Sequence, residues 1–123
     1  NAKGHRDRRL EVEEVSRTLK QLAKEMECPV IGLAQLNRAA EGEEPQLSHL
    51  REAGSLEQDA NVVIFIYQSE EDKGTDRASL IVAKNRQGRI GKAPIMFKRE
   101  HLKFGQFITR EVLGEYENPK GRR

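Results

Sequence analysis

Two stretches of the 123-residue chain bring chemistry-capable side chains to the end of an apolar run. The first is Pro29-Val-Ile-Gly-Leu-Ala-Gln-Leu36, where apolar character stops at Gln35, Asn37 and Arg38. In open α/β sheets, ligands sit beyond the carboxyl ends of strands, so polar residues at this end are site candidates. The second follows the apolar run Ala78–Ala83. From Lys84 to Lys103 the chain carries Lys84, Arg86, Arg89, Lys92, Lys98, Arg99 and Lys103 against a single Glu100. A basic segment of this kind can bind the phosphates of a nucleotide or nucleic acid. It equally fits a strand pair whose Lys and Arg face solvent. Lys84 and Arg86 are two apart, so in extended chain both point to one side.

The preceding stretch has the opposite charge. Glu41 to Asp76 holds ten acidic residues and only Arg51 and Lys73 as cations. The net charge of +2 and pI of 8.8 are too mild to argue nucleic-acid binding alone. At 36% hydrophobic and 34% charged residues, the chain is long enough for one modest domain. Its apolar residues are clustered, which argues against disorder throughout.

Other chemistries find little support. His5, His49 and His101 are far apart, and with Cys28 as the one cysteine no zinc motif can be assembled from the sequence. Cys28 reads as a buried structural thiol and not a nucleophile, and it suits a reducing compartment. Neither G-x-S-x-G nor the phosphate loop G-x-x-x-x-G-K-[ST] occurs. Phe104 and Phe107 allow base stacking, but aromatics in such a segment more commonly belong to a strand that packs on its inner face. No apolar run approaches the ~20 residues that span a bilayer. The amino end is polar and basic, unlike a signal peptide. It starts with Asn, as expected of a piece of a longer or processed chain.

Several elements must position these groups. Val12, Val15, Leu19, Leu22 and Met26 form an apolar stripe, predicting a helix from about Asp7 to Glu27. Cys28-Pro29 ends it. Pro29–Leu36 reads as a strand buried on both faces, and helix-then-strand order predicts a parallel sheet. Residues 39–46 read as a loop. Ser48 to Ala60 reads as helical turns broken at Gly54, with Ser48 and Ser55 as caps and Gln58 completing a capping box. Asn61–Gln68 is the strongest strand, and its β-branched content predicts a central position. Ala78–Ala83, Ala93–Lys98 and Phe104–Thr109 follow as shorter strands, with a hairpin at Gln87–Gly91. The fold class is α/β, parallel in the amino half with an antiparallel extension. The tail 114–123 reads as flexible.

Three segments, taken in order and spacing, carry a resemblance. They are Ile31-Gly-Leu-Ala-Gln-Leu-Asn-Arg38, Leu50-Arg-Glu-Ala-Gly-Ser-Leu-Glu-Gln-Asp-Ala60 and Ala83-Lys-Asn-Arg-Gln-Gly88. Together with the helix around Glu14–Glu25, they resemble the carboxyl-terminal half of the motor domain of DnaB-type replicative helicases. The resemblance spans about residues 8–110. It implies the carboxyl-terminal part of a RecA-like P-loop ATPase core over residues 1–113, with a flexible tail at 114–123. It also implies a homo-hexameric ring around single-stranded DNA, ATP with Mg2+ between subunits, primase and a helicase loader as partners, and no membrane. The implied location is the bacterial cytoplasm, at the nucleoid.

The resemblance also assigns roles. Gln35 matches the polar sensor that faces the γ-phosphate, and a neutral amide can bond a phosphate or attacking water. Without the resemblance it reads as a polar strand end in solvent. Arg51, Glu52 and Gly54 match the loop that touches the DNA backbone. Arg51 can pair with a phosphate, and amides near Gly54 can do the same. Taken alone, they read equally well as a helix-terminal ion pair. Lys84 and Arg86 match the basic finger pair that reaches the ATP of the neighbouring subunit. Such a finger contributes on the order of a thousandfold or more in rate. Unaided, they read as surface cations on a hairpin.

Ala34, His49, Asn61 and Asn85 depart from residues common in the family. The family's phosphate loop, catalytic glutamate and magnesium-binding aspartate match nothing in this chain, so the isolated chain is expected not to hydrolyse ATP. Three other readings stay open. Two are RecA-like motors, a recombinase or a phage primase-helicase. The third is a non-catalytic module, derived from the same core, that binds single-stranded nucleic acid or a partner.

Overall fold

A computed structural model describes residues 2–36 and 42–107. The helix expected from Asp7 begins at Ala2 and runs to Glu25 (α1), since nothing before Asp7 is proline. Its end is closed by the backbone. Glu27 adopts a left-handed conformation, φ 50°. Its N–H donates to the Lys24 carbonyl at 3.4 Å, and the Cys28 N–H donates to the Ala23 carbonyl at 3.2 Å. Paired closing bonds of this kind satisfy the last carbonyls, with proline commonly just beyond. Cys28 follows this turn and is exposed, so the buried thiol expected there is not found.

The apolar stripe of α1 is not the face that packs. Val15, Leu22 and Met26 are exposed, whereas Val12 and Leu19 are half-buried. Among the described side chains of the helix the buried one is Ser16, at 4% exposure. It lies one turn before Lys20, so the face turned inward is partly polar.

A further correction concerns Pro29–Leu36. This run forms no strand, and Ile31 and Leu33 are 88% and 97% exposed. Hydrophobic content alone does not make a strand. A ladder needs a neighbour to bond, and the described residues offer this run none. Gly32 still passes beside α1, where a Cβ would lie 3.9 Å from Leu19. Leu36 packs against the core.

Leu47–Ala53 is a 3₁₀ helix, and Gly54–Asp59 (α2) continues it as α-helix. The helix type changes at Gly54 but the expected break does not occur there, and the caps do not form as read. Ser55 lies inside α2, and its buried Oγ has no hydrogen-bond partner. Ser48 lies inside the 3₁₀ helix.

Four strands follow: β1 (Val62–Tyr67), β2 (Arg77–Asn85), β3 (Gly91–Lys98) and β4 (Lys103–Gln106). They pair in chain order, each antiparallel to the next. The antiparallel extension is thus present, and all ladders among the described residues are of this kind. β1 stands at one edge and not at the centre of these four strands. Its β-branched residues reflect two apolar faces, only one of which is covered here. Val63 and Phe65 turn inward, while Val62, Ile64 and Ile66 are about half exposed. The core is small: Leu50, Val63 and Phe65, flanked by Leu36, Leu47, Ala60, Ile81 and Ala83. Burial of Phe65 contributes about 1.5–3 kcal/mol.

The strand expected at Phe104–Thr109 is β4, ending at Gln106. Phe104 pairs across the ladder with Phe97, their rings stacked 4.8 Å apart. Asn37, Arg38, the last two residues of that expected strand (108–109) and the tail 114–123 lie outside the described residues. No described helix is long and apolar enough to cross a membrane.

Candidate functional site

The last carbonyls of a helix lack intrahelical donors and carry the negative end of its dipole. α2 meets this with side chains from elsewhere in the fold. Lys84 Nζ donates to the Glu57 carbonyl at 2.5 Å and lies 3.4 Å from that of Gln58. Arg86 Nη2 donates to the Gln58 carbonyl at 2.6 Å. Lys20 Nζ, from α1, donates to the Asp59 carbonyl at 2.7 Å. Three cations from two parts of the chain therefore close one six-residue helix.

Lys84 reaches this place because β2 is irregular. Val63 pairs with Lys84, but the next residue, Ile64, pairs with Val82. Ala83 is the extra residue. Such a bulge re-aims the side chains beside it. Ala83 touches the core, and strict alternation would turn Lys84 to the opposite face. With the bulge, both serve the same side. Arg86 lies beyond the end of β2, in the turn, where its N–H donates to the Asn61 carbonyl at 3.0 Å. The pair does converge on one side, through a bulge and a turn in place of simple alternation.

Asn61 and Asp59 complete the arrangement. Asn61 Oδ1 accepts from Lys20 Nζ at 2.8 Å and from Arg86 Nη1 at 3.4 Å. Ser16 Oγ donates to Asp59 Oδ2 at 2.7 Å, binding α1 to the end of α2. A depression of about 300 Å³ opens beside Arg86, lined also by Asn61, Val62, Asn85 and Gln87. The ion pairs among the described residues are Arg9–Glu13, Lys73–Glu70 and Lys92–Glu44. Lys84 and Arg86 are in none of them. Each bonds neutral oxygens and forms no ion pair among the described residues, an arrangement that leaves donors for an anionic ligand.

The other candidates are placed differently. Arg51, Glu52 and Gly54 lie at the junction of the 3₁₀ helix with α2, the end opposite the cations. Six residues at ~1.5 Å rise separate the two ends by roughly 9 Å along the axis. Gln35 is exposed in an unpaired segment and shares no hydrogen bond with Lys84 or Arg86. No group of three or more metal-ligating side chains occurs among the described residues.

Sequence reading missed Ser16, Lys20, Asp59 and Asn61. The available signal was the i, i+4 spacing of Ser16 and Lys20, which places both on one face of α1. Their partners are about forty residues away, beyond any local pattern.

Comparison with known proteins places the chain as a whole. Residues 1–106 match the family described as the DnaB-like helicase C terminal domain. The chain is 44% identical over 120 residues to the replicative DNA helicase DnaB of Pasteurella multocida, covering 89% of this chain and 25% of that protein. It is 41% identical over 105 residues to its counterpart in Geobacillus stearothermophilus, covering 80% and 23%. The chain thus spans about a quarter of the length of these relatives. Among solved structures, one described as an ATPase domain superposes with a TM-score of 0.71 at 35% identity, over 79% of this chain and 37% of that one. A DnaB-like replicative helicase, described with its interactions with primase, also gives 0.71 at 35% identity, over 78% and 25%. The fold is that of the carboxyl-terminal part of a RecA-like ATPase core, and the chain belongs to the family of DnaB-like helicase C-terminal domains.

Proposed function

We propose that this chain forms the carboxyl-terminal part of the motor of a replicative DNA helicase. The motor couples ATP hydrolysis to movement along single-stranded DNA and to duplex unwinding. Residues 1–113 form the motor unit. The carrying observation is that Lys84 and Arg86 hold one end of α2 while Arg51, Glu52 and Gly54 stand at the other. One short rigid element thus lies between the proposed nucleotide contacts and the proposed DNA contacts.

ATP with Mg2+ is the nucleotide in this reading. The residues present fit its phosphates, because Lys84 and Arg86 are cations that bond neutral oxygens among the described residues. They act on the nucleotide of a neighbouring subunit in a homo-hexameric ring. Bound ATP supplies the phosphoryl group whose transfer drives the motor. Arg86 presents N–H donors to charge developing there, and Lys84 adds a point charge. Gln35 offers a neutral amide that bonds a phosphate or water and loses the contact afterwards. Arg51 pairs with the DNA backbone, with amides near Gly54 beside it and Glu52 orienting it. Backbone contacts carry no base information, which suits a motor that must cross any sequence. Primase and a loader are the partners, and the bacterial cytoplasm, at the nucleoid, the location. Support comes from the helicase relatives in bacteria and from the solved neighbour described with primase.

The test is Arg86→Ala in a full-length helicase carrying this segment, made by replacing the matching quarter of the Geobacillus stearothermophilus protein with residues 1–106. DNA-stimulated ATP turnover is expected to fall about a thousandfold, with ATP binding largely kept. Unchanged turnover overturns the assignment.

A further inference from the structure

We infer that Asn61 is a positioning residue for Arg86, and that Lys20 holds Asn61 in place. The inference rests on the finger role proposed for Arg86. Asn61 grips Arg86 at both ends. Its carbonyl accepts the Arg86 backbone N–H at 3.0 Å, and its Oδ1 faces Nη1 at 3.4 Å. The Gln58 carbonyl takes Nη2 at 2.6 Å. A guanidinium has five N–H donors in a rigid fork. One on each Nη is used here, leaving Nε and one further N–H on each Nη for an anion. The guanidinium is thus oriented while most of its donors stay available.

Asn61 is itself fixed. Lys20 Nζ donates to Asn61 Oδ1 at 2.8 Å and to the Asp59 carbonyl at 2.7 Å. A long arginine side chain has many rotamers, and freezing them before the ligand arrives removes an entropy cost from the reactive complex. A guanidinium that wanders by about 1 Å loses on the order of a hundredfold where position governs rate. Asn61→Ala removes only the Oδ1 contact, because the main-chain carbonyl stays, so it should cost less than removal of Arg86. Its amide oxygen accepts from Arg86 without an opposing charge.

The experiment uses the same full-length helicase, with DNA-stimulated turnover read as kcat and KM for ATP. Asn61→Ala should lower kcat about tenfold with KM changed less than twofold, and Asn61→Gln, which keeps a neutral amide oxygen, should restore kcat to within about threefold. In an Arg86→Ala background, Asn61→Ala should have no further effect, since the residue acts through Arg86. If Asn61→Ala fails to assemble a ring, Lys20→Met carries the same test with Asn61 intact. A parallel fall in the Arg86→Ala background, or full kcat in Asn61→Ala, overturns the positioning role. Full kcat in Arg86→Ala alone overturns the finger reading on which it depends.

Discussion

Ser16→Ala probes how the site is held. Ser16 is 4% exposed and its hydroxyl is the donor that joins α1 to Asp59 Oδ2, at 2.7 Å across forty-three residues of chain. A hydrogen bond to a charged acceptor is worth about 1.5–3 kcal/mol. Asp59 is only half-buried, and water can replace part of what is lost, so we take the low end, about 1.5 kcal/mol. That is slightly more than a factor of 10 in the equilibrium between docked and undocked helices. The assay is amide hydrogen exchange in the full-length helicase, reading α2 and the residues facing it on α1. Exchange there should speed up about tenfold while β2 and β3 are unaffected, because local opening follows the lost contact. Ser16→Thr, which keeps the hydroxyl, should stay within threefold of the parent. Adding Asp59→Ala to Ser16→Ala should accelerate exchange little further, since both remove one interaction. Unchanged exchange in Ser16→Ala, or full additivity of the pair, would refute the view that this bond docks α1 onto α2.

Three further outcomes are expected. Arg51→Ala should weaken single-stranded DNA binding and reduce its salt slope by about 0.7, the value for one phosphate contact on a single strand, with basal ATP turnover little changed. An unaltered slope in a fluorescence titration would remove Arg51 from the DNA contacts. The isolated 123 residues should show no ATP turnover above background in a phosphate-release assay. The isolated chain should also self-associate through β1, whose outer face leaves Ile64 and Ile66 at 52% and 58% exposure. Ile66→Lys should shift its sedimentation toward monomer, since charge on an exposed strand blocks edge pairing.

The amino-acid sequence by itself determined the local elements and the family. Alternating and continuous apolar runs marked β1 to β4 to within a few residues, because strand formation follows side-chain pattern over a short window. The order and spacing of residues 31–38, 50–60 and 83–88 were enough to name the family. Tertiary structure decided how those elements were used. The stripe on α1 predicted an apolar contact face, yet the residue it buries is Ser16, because Asp59 supplied a partner that periodicity cannot see. Pro29–Leu36 had strand composition but no ladder, since pairing requires a neighbour as well as a propensity. Lys84 came to the end of α2 only through the extra residue at Ala83, which reversed the face that alternation assigned it. The meeting of Lys20, Lys84 and Arg86 has no sequence spacing to announce it. Open carbonyls at a helix end attract whichever cations the fold brings near, and that proximity is set by packing between segments 27 to 39 residues apart.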